Sequence, residues 1–332
     1  VSFMVNFDRG LIAHEMAHQW FGDDITCGTW KDIWLNEGFA TYMASLVIEN
    51  FDGEAAFISD KTDMINYVTS KPGGAVYLTD QEAQVVGRIF DGRLSYYKGA
   101  MVLNMLRLKL GDANFFQGIK NYLNDTTLNY GYAVTADFQS HMELVYGQPL
   151  TEFFNDWIYD QGYPSYNVAA YNAGTGLAHV TINQTQSHSS VGFFEMPVPI
   201  RFLGAGGQEF DTILDNTFNG QSFYVNVPFP VTGVVFDPNV ELISKNNTSS
   251  LGIETGLLHR EMTVYPNPVS DVLNINLPSG SNLKKATVFN NLGQNLGSFQ
   301  TLKIPVLALT NGVYVLQVET DSGVLYQKFV KR

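Results

Sequence analysis

The sequence predicts a multidomain α+β protein: a helical N-terminal part, an antiparallel β-sandwich and a small all-β C-terminal domain. Helix-spaced apolar residues fill the first half of the chain, and short β-rich runs bounded by Gly, Asn and Pro fill most of the second half. A polar, turn-rich stretch, SKNNTSSLGIETG, separates two sets of these runs. We therefore predict domains at residues 1–162, 163–245 and 261–332, with a linker at 246–260.

The helical part is predicted from segments in which apolar residues recur at i, i+3, i+4 and i+7. These segments are NEGFATYMASLVIENF, SYYKGAMVLNMLRLKLG, DANFFQGIKNYLND, TADFQSHMELVYG and LTEFFNDWIYDQG. Thr135 and Gly147 are typical start and stop signals for the fourth of them. No segment approaches the roughly 18 consecutive apolar residues that span a bilayer, so we expect no transmembrane segment.

The β-sandwich is predicted from six short runs: YNVAAYNA, AHVTINQTQ, EMPVPIRFLG, QEFDTILD, QSFYVNVPF and GVVFDP. LGAGGQEF between two of them has the glycines of a phosphate loop, but no Lys-Ser/Thr follows and no helix opens there. We therefore interpret it as a hairpin turn. The C-terminal domain is predicted from MTVYPNPVSDVLNINLP and the alternating strands after it.

The charge of the chain is acidic and uneven. The 332 residues carry a net charge of −13, whereas residues 264–332 hold six Lys/Arg and three Asp/Glu, a net +3, which leaves −16 on the rest. This balance argues against nucleic acid or an anionic membrane as the partner. Cys27 is the one cysteine of the sequence, so an internal disulfide is excluded.

The stretch GLIAHEMAHQWFGDD places two histidines and a glutamate in one helical run. His14 and His18 are four residues apart, so on a helix both imidazoles project from one face and can reach a single Zn²⁺. Glu15 flanks the same face, from which a carboxylate can take a proton from an attacking water. The alternative interpretation is a pair of packed core histidines.

A catalytic zinc needs a third protein ligand and one open position. Eighteen residues separate His18 from Glu37 in WLNEGFATYMASL, near the start of a second predicted helix that can pack against the first. We reject Cys27 as a fourth ligand because it would close the site. The other histidines have no partner at ligand spacing and are predicted to be surface or packing residues: His141, His179, His188 and His259.

Together, LIAHEMAHQWFGD and WKDIWLNEGFATYMA resemble the zinc aminopeptidase family that includes aminopeptidase N and the leukotriene hydrolases. The eighteen-residue gap matches this family, whereas thermolysin-type endopeptidases typically have one residue more. The resemblance implies a thermolysin-like catalytic domain that acts on peptides. It also implies that His14, His18 and Glu37 bind one catalytic Zn²⁺ and that Glu15 is the general base.

SYYKGAMVL resembles the family's Tyr-x-Lys-Gly segment, whose tyrosine donates a hydrogen bond to the developing oxyanion. The register of the resemblance selects Tyr96 rather than Tyr97; without it, an aromatic residue that packs on its neighbours is the simpler interpretation. Thr41, one turn after Glu37, is a candidate to orient the ligand carboxylate, although a bond to its own helix is commoner. Asp32 is its rival for that role.

Two parts of the family pattern differ here. The family's Gly-x-Met-Glu-Asn motif, whose glutamate grips the substrate amine, does not occur before His14, and neither does the large β-domain that normally precedes it. We therefore expect this chain to be the C-terminal part of a longer protein and to be weakly active or inactive alone. MPVPIRF and VVFDPNVELI resemble the β-sandwich that follows the catalytic domain in many members.

The C-terminal domain resembles the sorting domain of type IX secretion in Bacteroidetes, through YPNP, NNLGQ and the Lys-rich last strand. This implies recognition by the type IX machinery and a secreted or cell-surface location. An adhesive β-module is the alternative. For the whole chain we predict a zinc aminopeptidase, with a gluzincin endopeptidase, an epoxide-hydrolase-like relative and a non-catalytic surface scaffold as alternatives.

Overall fold

The computed structural model describes residues 8–174, 176–252, 262–277, 281–290, 294–321 and 324–332. The described chain divides into two compact units. The first comprises residues up to 170 together with 180–224 and 231–250, and the second comprises 171–179, 225–230 and the described residues from 251 onward. The predicted domain boundaries and the linker at 246–260, which lies partly outside the described residues, stay predictions.

The N-terminal part of the first unit is helical, as its apolar periodicity predicts. Its α-helices are α1 Arg9–Ala17, α2 Trp34–Asp52, α3 Glu54–Val68, α4 Val86–Ile89, α5 Gly99–Leu110, α6 Asp112–Leu123, α7 Thr135–Tyr146 and α8 Thr151–Phe154. Gly92–Lys98 and Asn155–Tyr159 are π-helical segments, and Trp30–Asp32 and Glu82–Gln84 are short 3₁₀ turns. Two short parallel strands, β1 Ile25–Cys27 and β2 Gly131–Ala133, join the loops between helices. No helix among the described residues is long and apolar enough to cross a bilayer.

The core of the helical part surrounds α2. Phe39 of this helix is fully buried. Its ring lies 4.3 Å from that of Phe21 and 5.0 Å from that of Phe138, measured between centroids. Aromatic pairs at such distances add to the free energy gained by burial alone. Packing on the loop after α1 and on α7 therefore fixes the position of α2.

Seven strands follow the helices, and they form two sheets. They are β3 Pro164–Gly174, β4 Leu177–Gln186, β5 Met196–Gly204, β6 Glu209–Asn216, β7 Gln221–Asn226, β8 Val231–Phe236 and β9 Thr248–Leu251. The strand orders are β7-β4-β3-β9 and β6-β5-β8, and β5 pairs antiparallel with both of its neighbours. The hairpin interpretation of LGAGGQEF is confirmed, because Gly206 and Gly207 turn the chain between β5 and β6 with φ of 70° and 81°.

The C-terminal part of the second unit is an all-β domain with its own core. Its strands are β10 Thr263–Tyr265, β11 Val272–Asn276, β12 Leu283–Phe289, β13 Asn295–Phe299, β14 Lys303–Pro305, β15 Gly312–Thr320 and β16 Val324–Lys331. They form antiparallel sheets with the orders β10-β11-β14 and β13-β12-β15-β16. Burial alternates along β15 and places Leu316 and Val318 in the core with Phe329 of β16.

A buried polar network joins the start of α2 to the start of α7. Thr135 donates from its backbone nitrogen and its hydroxyl to Oδ1 of Asp32, at 2.9 and 2.8 Å. The indole nitrogen of Trp34 donates to the Thr135 hydroxyl oxygen at 3.0 Å. Each of these three residues is at most 1% exposed, so the Thr135 hydroxyl has no water to replace a lost partner.

Thr135→Val should destabilise the protein by about 1–3 kcal/mol, because the isosteric change leaves the Trp34 donor unpaired and removes one bond to Asp32. Thr62→Val is the matched control, since the Thr62 hydroxyl bonds only to the Ile58 carbonyl of its own helix, at 2.7 Å. Urea denaturation followed by tryptophan fluorescence measures both variants. Equal free energies of unfolding for the two variants would contradict the structural role of the network.

Candidate metal centre

Two adjacent helices carry the predicted ligands. Asp8 caps α1, its carboxylate accepting a bond from the Gly10 nitrogen at 2.9 Å. His14 lies in the last turn of α1, and His18 is the residue at which this helix ends, with right-handed helical φ and ψ of −61° and −18°. Because helical geometry continues through His18, the four-residue spacing brings both imidazoles to the same face. Glu37 lies in the first turn of α2, which packs against α1.

The structure brings the three predicted ligands together at one point. Nε2 of His14 lies 3.2 Å from Nε2 of His18 and 3.3 Å from Oε2 of Glu37, and Nε2 of His18 lies 3.4 Å from the same oxygen. Zinc–ligand bonds of about 2.0–2.1 Å in a tetrahedron require about 3.3–3.4 Å between ligand atoms. The three donor atoms are thus spaced as one face of a zinc tetrahedron would require, and no fourth protein ligand joins this group among the described residues.

The outer nitrogens of both imidazoles are occupied. Nδ1 of His18 donates to the Phe21 carbonyl oxygen at 3.0 Å. Nδ1 of His14 lies 3.4 Å from the Thr41 hydroxyl oxygen, and that hydroxyl gives its own proton to the Glu37 carbonyl at 2.7 Å. These bonds assign the proton of each neutral ring to Nδ1, so both Nε2 lone pairs face the Glu37 carboxylate. Three electron-rich atoms at these distances repel one another unless a cation lies between them, so the residues fit a zinc ion.

The electrostatics of the cluster favour an ionised carboxylate. Burial by itself would raise the pKa of Glu37, but when the imidazoles of His14 and His18 carry a proton on Nε2, their bonds and charge outweigh burial and lower the pKa to about 2. The bond to Glu37 raises the pKa of His18 above its ordinary value of 6.5, against an opposing effect of burial. Protons and a metal ion therefore compete for the same nitrogen.

The other two predicted residues line the same cavity of about 680 Å³ as the three ligands. Glu15 is exposed on the face of α1 that carries His14. Tyr96 is half-buried, and its ring stacks on that of His14 with centroids 5.9 Å apart and planes 12° apart. Burial and then the charge of Glu37 raise the pKa of Tyr96, so its phenol keeps the proton that it can donate. Tyr97 instead packs edge-on against Tyr67.

Two supporting residues differ from the sequence interpretation. Asp32 does not orient Glu37, because its carboxylate accepts bonds from Thr29 and Thr135; that interpretation is wrong. Thr41 bonds to the Glu37 backbone and lies beside His14, rather than contacting the carboxylate. The Phe21 carbonyl was missed, and a backbone acceptor leaves no signal in a sequence.

Among the described residues, the cysteine and the histidines that were not predicted as ligands lie outside the metal centre. Cys27 is a free, buried thiol, and His141 bonds to the Asp125 carboxylate at 3.0 Å. Neither belongs to the group of converging metal-binding side chains found among the described residues. His188 bonds to the Ser190 hydroxyl, and His259 lies outside the described residues.

Two protein-family models match the chain. The peptidase family M1 domain matches residues 8–157, and the secretion system C-terminal sorting domain matches residues 263–332. The first match contains both helices of the metal centre, and the second contains strands β10 to β16.

Curated relatives include a probable aminopeptidase 2 of Sulfurisphaera tokodaii, 39% identical over 162 residues, which cover 46% of this chain and 20% of that protein. The tricorn protease-interacting factor F2 of Thermoplasma acidophilum is 30% identical over 233 residues, which cover 64% of this chain and 28% of that protein. The chain thus spans between 20% and 28% of the length of these two relatives.

A crystal structure of Legionella pneumophila aminopeptidase A in complex with aspartic acid is similar over 74% of this chain and 27% of that chain. The TM-score is 0.54 and the sequence identity is 18%, so the likeness concerns the fold alone. The predicted fold class is confirmed, and so is the resemblance to the aminopeptidase N family. The chain thus carries a peptidase family M1 domain at residues 8–157 and a secretion system C-terminal sorting domain at residues 263–332.

Proposed function

We propose that this protein is a zinc-dependent aminopeptidase that hydrolyses the N-terminal peptide bond of peptides. The single observation that supports it most is the convergence of His14, His18 and Glu37, with no fourth protein ligand in the group among the described residues. A structural zinc site is normally closed by four protein ligands, often cysteines, whereas a catalytic site has three and an open position. The aminopeptidase names of the relatives agree with this assignment.

His14, His18 and Glu37 would hold the zinc ion, and the hydrogen bonds of the two imidazoles would strengthen its binding. When bound, zinc supplies Lewis acidity that polarises the scissile carbonyl and eases the deprotonation of water. The Phe21 carbonyl and the Thr41 hydroxyl fix the orientation of the two imidazoles through their Nδ1 atoms. Such bonds keep the rings from rotating away and make Nε2 a stronger ligand.

Proton transfer falls to Glu15. It precedes the second histidine by three residues on the same helix, and it faces the cavity without belonging to the ligand set. Its carboxylate takes a proton from the attacking water and passes it to the leaving amine. Tyr96 lines the same cavity, where its phenol donates a hydrogen bond to the oxyanion of the tetrahedral intermediate.

The sorting domain supports export. Its own core and the match over residues 263–332 indicate a domain recognised apart from the peptidase. We propose that the type IX machinery exports the chain, which then acts in a secreted or cell-surface form on extracellular peptides. The low activity expected of the isolated chain stays a prediction, so assays need high enzyme concentrations.

Zinc should bind with a stoichiometry of one per chain, and its affinity should fall as the pH is lowered. Because the pKa of His18 lies above 6.5, the fall should begin above that pH and continue as more imidazole is protonated. Isothermal titration calorimetry of the EDTA-treated chain between pH 5 and pH 8 measures both quantities. His18→Ala should abolish tight binding and the control His141→Ala should not; equal binding by both would contradict the site.

Glu15→Gln should lower kcat by about 10²–10⁴-fold on aminoacyl-nitroanilides, because an amide cannot accept the proton of the attacking water. Zinc content should be unchanged, since Glu15 is not among the converging ligand residues. Glu54→Gln, an exposed glutamate at the start of α3, is the matched control. Full activity of Glu15→Gln would refute the assignment, and hydrolysis of internal bonds only would favour an endopeptidase.

Tyr96→Phe should lower kcat by about 10²–10³-fold with little change in KM, because the lost donor acts on the oxyanion rather than on the bound substrate. Tyr97→Phe is the control, since this exposed ring packs on Tyr67. Steady-state kinetics on the same substrates compare the two variants. A larger loss for Tyr97→Phe would show that the oxyanion donor is the neighbouring tyrosine.

A further inference from the structure

The helix that carries Glu37 and the segment that carries Tyr96 touch through two glycines. Gly38 follows the metal ligand in α2, and Gly99 begins α5 directly after the π-helical segment. A Cβ atom added to Gly38 would lie 3.1 Å from both Cα and C of Gly99, and one added to Gly99 would lie 3.2 Å from Cα of Gly38. The two backbones are therefore in direct contact.

Space, rather than backbone conformation, explains these glycines. Gly99 has φ of −55° and ψ of −48°, values that any residue adopts in a helix, and Gly38 lies inside α2 without a positive φ. The atoms that a new Cβ would meet belong to backbone, which cannot rotate away as a flexible side chain can. An alanine at either position would push the two helices apart by a few tenths of an ångström.

The contact lies between residues that the proposed reaction needs to hold together. Glu37 is adjacent to Gly38, and Tyr96 is three residues before Gly99. The carbonyl oxygen of Ser95, the residue before Tyr96, would lie 3.3 Å from a Cβ on Gly38. A change in the helix separation at this point thus moves the phenol relative to the carboxylate.

The opposite side of the π-helical segment is anchored. The guanidinium of Arg93 donates to the Val68 and Gly73 carbonyls at 3.2 and 3.0 Å. The buried amine of Lys98 donates to the Gly74 carbonyl at 3.0 Å. These bonds prevent the segment from moving freely as a rigid body. A larger separation of α2 and α5 therefore changes the position of Tyr96 relative to Glu37, whether α2 or α5 is the helix that moves.

We infer that Gly38 and Gly99 are positioning residues, whose backbone contact sets the Tyr96 hydroxyl at its working distance from the metal centre. The predicted effect on catalysis rests on the proposed function, whereas the contact sets the position of Tyr96 whether or not the protein hydrolyses peptides. Without the contact, zinc still binds while the oxyanion donor is misplaced. Misplacement of a catalytic group by up to an ångström lowers rates by as much as about 10²-fold.

The experiment uses the full chain labelled with 3-fluorotyrosine, in which ¹⁹F NMR reports on each tyrosine and Tyr96→Phe identifies the Tyr96 signal. Zinc addition should shift this signal in the wild type. In Gly38→Ala and in Gly99→Ala, zinc content should stay at one per chain. The Tyr96 signal of the metal-free variants should differ in chemical shift from that of the metal-free wild type, and zinc should change it by less than in the wild type. In the same two variants, kcat should fall about 10-fold or more with KM nearly unchanged.

Gly87→Ala is the matched control, because Gly87 is also helical and its Cβ would meet nothing within 4 Å. It should leave the Tyr96 signal and kcat unchanged. In a Tyr96→Phe background, Gly38→Ala should cause no further loss of kcat, since a positioning residue acts through the group that it positions.

The inference is overturned if Gly38→Ala and Gly99→Ala leave the Tyr96 signal as in Gly87→Ala, or if both lose zinc. It is also overturned if neither variant folds at low temperature, because the contact is then a requirement of folding. A normal pattern of Tyr96 shifts in a chain whose Glu15→Gln variant hydrolyses peptides as fast as the wild type would instead defeat the proposed function and leave the positioning role intact.

Discussion

The mutual repulsion of three electron-rich atoms is the constraint on which this structure depends. Two imidazole nitrogens and a carboxylate oxygen lie 3.2–3.4 Å from one another, a spacing that isolated side chains in water would not hold. The packing of α1 against α2 has to impose it. Glu37 also loses hydration on burial, and protonation of the two imidazoles at Nε2 offsets that loss and lowers the pKa of Glu37 to about 2. The packing of these two helices thus determines where the three ligand atoms meet.

Three sets of contacts hold α2 in place near Glu37. Aromatic packing around Phe39 fixes the second turn of the helix, and the buried bonds among Asp32, Trp34 and Thr135 fix its start. The contact between Gly38 and Gly99 fixes the distance between α2 and α5. Because core packing is dense, a helix held at three points transmits small displacements rather than absorbing them. A metal centre with ligands on two helices requires this stiffness.

The sequence predicts those features of the site that depend on local geometry. The spacing of His14 and His18 fixes their common face through the helical repeat alone, whereas eighteen residues of intervening chain say nothing about where Glu37 lies. The need for a third ligand on a second helix made Glu37 a candidate, and the family resemblance supported it and selected Tyr96. Asp32 was the rival candidate to orient Glu37, but its carboxylate is bound by Thr135, which lies 103 residues away in the chain and which no local pattern connects to it. In the same way, the polar stretch TSSL lacks apolar alternation, yet β9 pairs there at the edge of a sheet.

Metal binding and folding are linked in this arrangement, because packing of the helical core supplies the free energy that offsets the repulsion between the ligand atoms. A metal-free chain has to keep the ionised Glu37 carboxylate beside two lone pairs, and partial protonation of His18 relieves that strain. A zinc ion bound at this point would offset the repulsion, and it would then stabilise the crossing of α1 and α2. The apolar core of the all-β C-terminal domain contains none of the residues of this linkage.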